Sequence, residues 1–160
     1  MKFLIITLCL IVSPIFAKDR IKLDSKLQKE VIKVLEQNEA LHASFFTYDT
    51  KAVQKNAELV IKAIDKVSKS AVSKKMAFTK TKLSEITAKK SRKANNESYG
   101  IISAGLVHIV NTYDVGPKYN SYSCPMVNKK WVQNSKKKLR THNPYAPEMP
   151  HCGQRDTDHK

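Results

Sequence analysis

The chain has little cysteine and tryptophan, and it has few acidic residues. Its 160 residues include one tryptophan and three cysteines, and 14 acidic residues stand against 29 basic ones. Neither a CxxC nor a CxxCH motif is present, so a dithiol relay and covalent haem attachment have little support. Aromatic residues are not repeatedly interleaved with basic ones, which argues against a dedicated nucleic-acid-binding protein.

Arrangements typical of a catalytic site are also missing. Cys124 and Cys152 are the candidate nucleophiles, and no Asp/Glu pair or Ser-His arrangement is evident around them. Each carboxylate can be explained as a helix cap, a surface charge or a residue of the C-terminal tail. We therefore expect that the protein is not an enzyme.

The N-terminus has the order of parts that a signal peptidase recognises. Lys2 supplies a positive charge, an uncharged apolar run follows over 3–12, and Ala17 is a small residue at the expected cleavage position. The apolar run is too short for a stable membrane anchor. We therefore predict a signal peptide over 1–17 and a mature protein that is periplasmic or secreted.

The charge of the chain is strongly positive, with a formal net charge of +15. Lysines crowd the segments 62–93 and 129–140. Such a charge favours a polyanion, a membrane surface or an acidic partner protein. Lysines spaced along amphipathic helices more often form a solvated face, and both interpretations remain open at this point.

Apolar residues recur at helical spacing in four segments of the first two thirds of the chain. Asp24 or Ser25 can cap the first helix, a turn is expected at 47–50, and Asn95-Asn96 is expected to break the pattern before the fourth helix. The apolar residues of the first two helices lie at 27–45 and 53–67, and the third and fourth helices are expected over 73–90 and 97–113. Short polar loops between such helices are typical of an antiparallel bundle. We therefore predict an all-α fold, with an antiparallel four-helix bundle over 18–115.

The sequence changes character at Gly116-Pro117, after which most of the prolines occur and no helical period is seen. The clustering of cysteine, methionine, tryptophan and tyrosine argues against disorder in this part. We predict an irregular tail over 116–153 that packs on the bundle and completes the same domain, followed by a flexible end over 154–160. Three residues are expected to anchor the tail, namely Trp131, Asn143 and Tyr145.

Two pairs of sulfur-containing side chains lie in the tail. Cys124 and Met126 are separated by one proline, and Met149 and Cys152 are separated by two residues. Thiolate and thioether ligands favour Cu(I) over hard cations, because polarizable sulfur matches a polarizable ion. Signal-peptide cleavage removes Cys9, so the two remaining cysteines can instead form a disulfide worth about 3–4 kcal/mol. The spacing leaves metal ligation and a disulfide open.

Histidines are weaker candidate ligands. His151 adjoins the last cysteine, whereas His42 and His108 lie on or beside the core-facing stripes of the first and fourth helices. A histidine of the bundle could reach a site in the tail, but such residues are more often part of the core or half-exposed. We expect His142 and His159 to lie on the surface.

The ordered motif of the tail resembles the signature of a domain-of-unknown-function family. The residues that carry the resemblance are Tyr122-Ser123-Cys124-Pro125-Met126, Trp131, Asn143-Pro144-Tyr145, Met149 and Cys152-Gly153. That family occurs in bacterial periplasmic proteins and at the C-terminal ends of copper/silver RND efflux adaptors. Its members have a helical half followed by a CPM…W…NPY…M…CG tail.

The resemblance implies association with a heavy metal, with copper as the ion, and the ligands Cys124, Met126, Met149 and Cys152. We therefore expect a periplasmic Cu(I)-binding protein that sequesters copper or delivers it to an efflux adaptor or another periplasmic protein. The alternative is a non-metal interaction module with a Cys124–Cys152 disulfide and a basic surface that binds a polyanion, a membrane surface or a partner protein. We expect no nucleic acid as a partner.

Overall fold

The computed structural model describes residues 19–159, and the predicted signal peptide lies outside them. The described chain forms four helices followed by a three-stranded antiparallel sheet. None of the helices in this part of the chain is long and apolar enough to cross a membrane. The elements are α1 Ser25–Thr47, α2 Thr50–Ile64, α3 Ala71–Ser84, α4 Arg92–Thr112, β1 Tyr119–Cys124, β2 Lys129–Asn134 and β3 Gln154–Arg155.

Each helix begins after a residue whose side chain accepts a hydrogen bond from the first turn. Such an acceptor satisfies a backbone N–H group that has no partner inside the helix. The caps of α1 to α4 are, in order, Asp24, Asp49, Ser70 and Ser91. Tyr48 ends α1 in the left-handed conformation, with φ 49°, so the chain turns there as predicted.

The helices bury one apolar core to which all four contribute. Consecutive helices pack against each other along the chain. The ring of Phe45 in α1 stacks on Tyr99 in α4, with 4.6 Å between the ring centroids. Met76 in α3 is fully buried in this core, which removes it from the set of accessible sulfur ligands.

The prediction of an all-α fold is wrong, because the tail contains a sheet. β1 pairs with both β2 and β3, and the strand order is β2-β1-β3. β1 is rich in serine, asparagine and tyrosine and shows no apolar alternation, so the usual pattern of a strand is missing. These polar residues are buried because they find partners within the tail; Asn120 Nδ2, for example, donates to Ser135 Oγ at 2.7 Å. The protein therefore has a mixed fold, in which the sheet packs on α4.

The end of the chain, for which we predicted flexibility, forms β3 and makes hydrogen bonds to β1 up to residue 159. Gln154–Arg155 forms β3, and the Ser121 amide donates to Thr157 Oγ1 at 3.0 Å. The His159 amide donates to Asn120 Oδ1 at 2.8 Å. These bonds hold the segment against β1.

Helix α4 begins at Arg92, five residues before the predicted start, and Asn95-Asn96 does not break it. Asn95 is fully buried, and its Nδ2 donates to the Thr87 carbonyl and to the Tyr48 hydroxyl, both at 2.9 Å. Asparagine disfavours a helix when its side chain bonds to the adjacent backbone. Here the side chain bonds to other segments instead, so the helix continues through it.

Candidate metal centre

The pairing of β3 with β1 brings the two cysteines together. Cys124 is the last residue of β1, and the register places Ser123 opposite Gln154, two residues after Cys152. The Sγ atoms of Cys124 and Cys152 consequently lie 2.7 Å apart. Both cysteines are free thiols. The sheet therefore aligns two sulfur atoms that are far apart in the sequence.

A third sulfur atom comes from the turn between β1 and β2. In this turn the Asn128 amide donates to the Pro125 carbonyl at 3.2 Å, and Asn128 is left-handed with φ 48°. Met126 Sδ lies 3.5 Å from Cys152 Sγ. The side chain of Met126 is 72% exposed. Cys124, Cys152 and Met126 thus form a cluster, here called the sulfur cluster, which opens to solvent at the methionine.

The two thiols have different acidities. Burial by itself raises the pKa of Cys124, but a hydrogen bond from the Cys152 thiol and two from the backbone amides of the turn at 126–127 outweigh it. The Asn143 side chain adds to these bonds, so the pKa of Cys124 lies below its ordinary value. The hydrogen bond to Cys124 raises the pKa of Cys152, and burial raises it further. Cys124 is therefore the residue that holds a thiolate first.

Asn143 ties the segment that carries Cys152 to the rest of the tail. Its Nδ2 donates to the Cys152 carbonyl at 3.1 Å, its Oδ1 accepts from the Tyr145 amide at 2.9 Å, and its amide donates to the Pro150 carbonyl at 2.8 Å. The Tyr145 hydroxyl in turn donates to Ser103 Oγ of α4 at 2.7 Å. Asn143 and Tyr145 therefore anchor the site to the helices, as predicted.

Trp131 packs against the Cys124 side of the sulfur cluster. It is fully buried and belongs to a small apolar cluster with Tyr122 and Cys124. Its ring lies 6.1 Å from that of Tyr122, measured between centroids. The packing holds Cys124 in place, whereas Met126 on the turn has no such restraint.

The other predicted ligands lie apart from the sulfur cluster. Met149 is exposed, and among residues 19–159 no hydrogen bond joins its sulfur to either thiol. His151 is exposed with Nδ1 at 2.8 Å from the Thr141 carbonyl, and His108 is exposed on α4. No group of three or more His, Cys, Asp or Glu residues that could hold a metal occurs in the described chain. Within residues 19–159, Met126 is the side chain seen to add a third sulfur atom to the two thiols.

His42 belongs to a second, separate arrangement. It is buried, and its Nε2 lies 2.8 Å from the His142 carbonyl oxygen and 3.2 Å from His142 Nδ1. His142, predicted to lie on the surface, is half-buried and stacks on Phe46 with 3.8 Å between the ring centroids. Burial lowers the pKa of His42 to about 3, with the neighbouring His142 adding to the effect. His42 is therefore a neutral core residue at neutral pH.

The buried His42 is expected to make the fold sensitive to mild acid. Its pKa is about 3 in the folded protein and 6.5 in an unfolded chain, so between these values the unfolded chain binds a proton that the folded one does not. Stability is then lost as the pH falls through this window, by about 2 kcal/mol between pH 6.5 and 4.5. Urea unfolding at the two pH values measures this loss.

The matched variant is His42→Gln, which keeps a donor for the His142 carbonyl but does not titrate. Burial lowers the pKa of His142 as well, and that residue contributes to both proteins. The variant is expected to show a smaller loss between pH 6.5 and 4.5. An identical loss in the two proteins would show that His42 is not the group responsible.

The fold and the site together define a helical domain with a C-terminal sheet that carries two thiols and a thioether in contact. No protein-family model, curated protein or solved structure matches the chain. Conclusions about function therefore depend on the geometry and chemistry of the sulfur cluster.

Proposed function

We propose that the protein is a periplasmic Cu(I)-binding protein that sequesters copper or delivers it to an efflux system. The observation that carries the proposal is the contact between Cys124, Cys152 and Met126. Two thiols and a thioether are the ligand types that select Cu(I) over hard cations.

The cluster must open slightly to admit an ion. A sulfur ligand lies about 2.3 Å from a bound d¹⁰ ion such as zinc, so two such ligands at tetrahedral angles are about 3.8 Å apart. The thiols at 2.7 Å must therefore separate by about 1 Å. Cys124 is fixed in the sheet, but Cys152 is partly exposed and Met126 lies on a turn, so these two can move.

The electrostatics of Cys124 favour metal binding as well. A metal binds the thiolate, and each bound thiol must release its proton. The hydrogen bonds from the turn at 126–127 keep the pKa of Cys124 low. They reduce the cost of the first deprotonation while they hold the sulfur in one orientation.

The closeness of the two thiols also favours the second candidate, an interaction module with a structural disulfide. In that case the basic surface would bind a polyanion or a partner protein, and Met126 would have no ligand role. Both candidates use the same two thiols, so the redox state and the copper affinity of the isolated protein separate them.

The decisive experiment is an anaerobic Cu(I) competition titration of the reduced protein against a chromophoric chelator. The wild type is expected to bind one ion. Cys124→Ser and Cys152→Ser each remove a ligand. Each should lower the Cu(I) affinity by more than the 10- to 100-fold that is typical when a residue that only orients a ligand is replaced. Met126→Leu should weaken binding without removing it.

The matched control is Met149→Leu, which removes a thioether that lies outside the cluster. Its affinity should equal that of the wild type. A loss equal to that of Met126→Leu would return Met149 to the ligand set, and an unchanged affinity in a Cys124→Ser, Met126→Leu double variant would overturn the proposed site.

A further inference from the structure

A cleft with a basic rim opens beside the sulfur cluster. It has a volume of about 460 Å³ and lies between the first turns of α4 and the turn that follows β1. Arg92, Lys93 and Lys129 contribute three positive charges to its lining, and Glu97 contributes one negative charge. The cleft is therefore positive overall.

The three cations are not held in ion pairs. In the part of the chain that the structure describes, none of them takes part in a salt bridge. The Arg92 guanidinium donates to the Phe45 carbonyl at 2.8 Å and lies over the Tyr48 ring, so its charge has a fixed position. Lys93 is exposed. These charges remain available to an anion from outside.

The cleft is directly connected to the sulfur cluster. Lys129 is paired with Cys124 across the β1–β2 register. Val127, in the wall of the cleft, also packs against the small apolar cluster that contains Cys124. The exposed Met126 is the preceding residue. A molecule seated in the cleft would consequently lie next to the open side of the cluster.

We infer that the cleft docks the acidic rim of a second metal-binding protein that exchanges Cu(I) with the sulfur cluster. This inference rests on the proposed function. Charge complementarity carries it, since unpaired rim charges mainly accelerate and orient the encounter of two proteins. The partner is therefore a protein whose own soft-ligand site is surrounded by carboxylates.

The exchange is a ligand substitution without a redox step. Copper stays as Cu(I), and each bond to a partner ligand that breaks is replaced by one to Cys124, Cys152 or Met126. The protons released by the two thiols pass to the freed partner ligands or to water. The exposed Met126 offers the first new bond, because it is reachable while the partner still holds the ion.

The test measures the rate of copper transfer from two synthetic donors. Both are Cu(I)-loaded CxxC peptides, one with aspartate and glutamate flanks and one with asparagine and glutamine flanks. At low salt the acidic donor is expected to transfer about 10-fold faster, and the difference should vanish at high salt because the charges are screened. The readout is the stopped-flow rate.

Two variants locate the effect. Lys93→Gln with Lys129→Gln should lose most of the advantage of the acidic donor, while its equilibrium Cu(I) affinity stays that of the wild type. The matched control, Lys66→Gln with Lys69→Gln, removes the same charge from two exposed lysines after α2 and should keep the advantage.

Other results would contradict either the docking inference or the proposed function. Equal slowing of both variants would show that overall charge, and not the cleft, attracts the donor. No preference for the acidic donor in the wild type would overturn the inference while Cu(I) binding stands, and absence of Cu(I) binding at equilibrium would overturn the proposed function itself. Loss of binding to anionic vesicles in Lys93→Gln, Lys129→Gln, with transfer unchanged, would assign the cleft to a membrane surface instead.

Discussion

Gly153→Ala is expected to weaken Cu(I) binding by about 100-fold although it changes no ligand, at the upper end of what supporting residues contribute. Gly153 follows Cys152 and has φ +124°, a conformation that side chains rarely adopt. A Cβ atom added there would lie 2.5 Å from the Ser123 carbonyl oxygen. A backbone atom inside a sheet cannot give way cheaply, so the β1–β3 pairing must shift.

Such a shift acts directly on the cluster. The same Cβ would lie 3.2 Å from the Cβ of Cys124 and 3.0 Å from the Trp131 ring, so the variant pushes Cys152 away from its partner thiol. The chelator competition titration measures the affinity. The near-ultraviolet circular dichroism of Trp131, the one tryptophan, shows whether the core below the site remains folded.

The matched control is Gly116→Ala. Gly116 also has a positive φ, 76°, but nothing lies within 4 Å of an added Cβ. This variant should lose about 1 kcal/mol of stability from backbone strain and keep its copper affinity. Equal affinities of Gly153→Ala and the wild type would show that the β1–β3 contact does not position Cys152.

The existence of the four helices could be predicted because apolar spacing determines them, but α3 ends at Ser84 and not near the predicted residue 90. Leu35, Val60 and Leu106 are buried where the predicted stripes place them, and Asp24 caps α1 as expected. The start of α4 was placed too late, since asparagine was judged by its local tendency. The Asn95 side chain instead donates hydrogen bonds to the Thr87 carbonyl and the Tyr48 hydroxyl. Partners in other segments of the chain leave no pattern in a sequence.

The sheet could not be predicted for a related reason. β1 is stabilised by hydrogen bonds of buried asparagine and serine side chains, as at Asn120 and Ser121, and not by an apolar face. β3 has two residues, too few to carry any periodicity. The pairing of β3 with β1 brings Cys152 to Cys124. Because the sequence did not predict β3, it did not predict the geometry of the site either.

The type of ligand at the site was easier to predict than which residues belong to it. Residue types and neighbouring prolines singled out Cys124, Met126 and Cys152, which the structure brings into contact. Met149 had the same signal and lies outside. Successive turns, in which the Met149 amide donates to the Ala146 carbonyl and the Cys152 amide to the Met149 carbonyl, both at 2.9 Å, carry Cys152 inward and leave Met149 exposed.

Oxidation of Cys124 and Cys152 is expected to abolish Cu(I) binding, and bound Cu(I) is expected to prevent that oxidation. The same two Sγ atoms serve both states, so a disulfide removes both thiolates from the ion. With oxidised glutathione as the oxidant, the two thiols transfer two electrons and two protons to it. The products are one protein disulfide and two molecules of reduced glutathione. Thiol alkylation followed by mass spectrometry counts the free cysteines, under anaerobic conditions with and without one equivalent of Cu(I).

Met126→Leu is the informative variant for this exclusion. It keeps both cysteines, so it should oxidise as fast as the wild type without copper, but it should need more copper for the same protection because the third ligand is gone. Oxidised protein that binds Cu(I) with full affinity would contradict the sulfur cluster as the site. Equal protection of Met126→Leu and the wild type would remove the methionine from it. A disulfide that forms regardless of copper, in a reduced protein that binds none, would favour the interaction module, in which the two cysteines only hold the tail together.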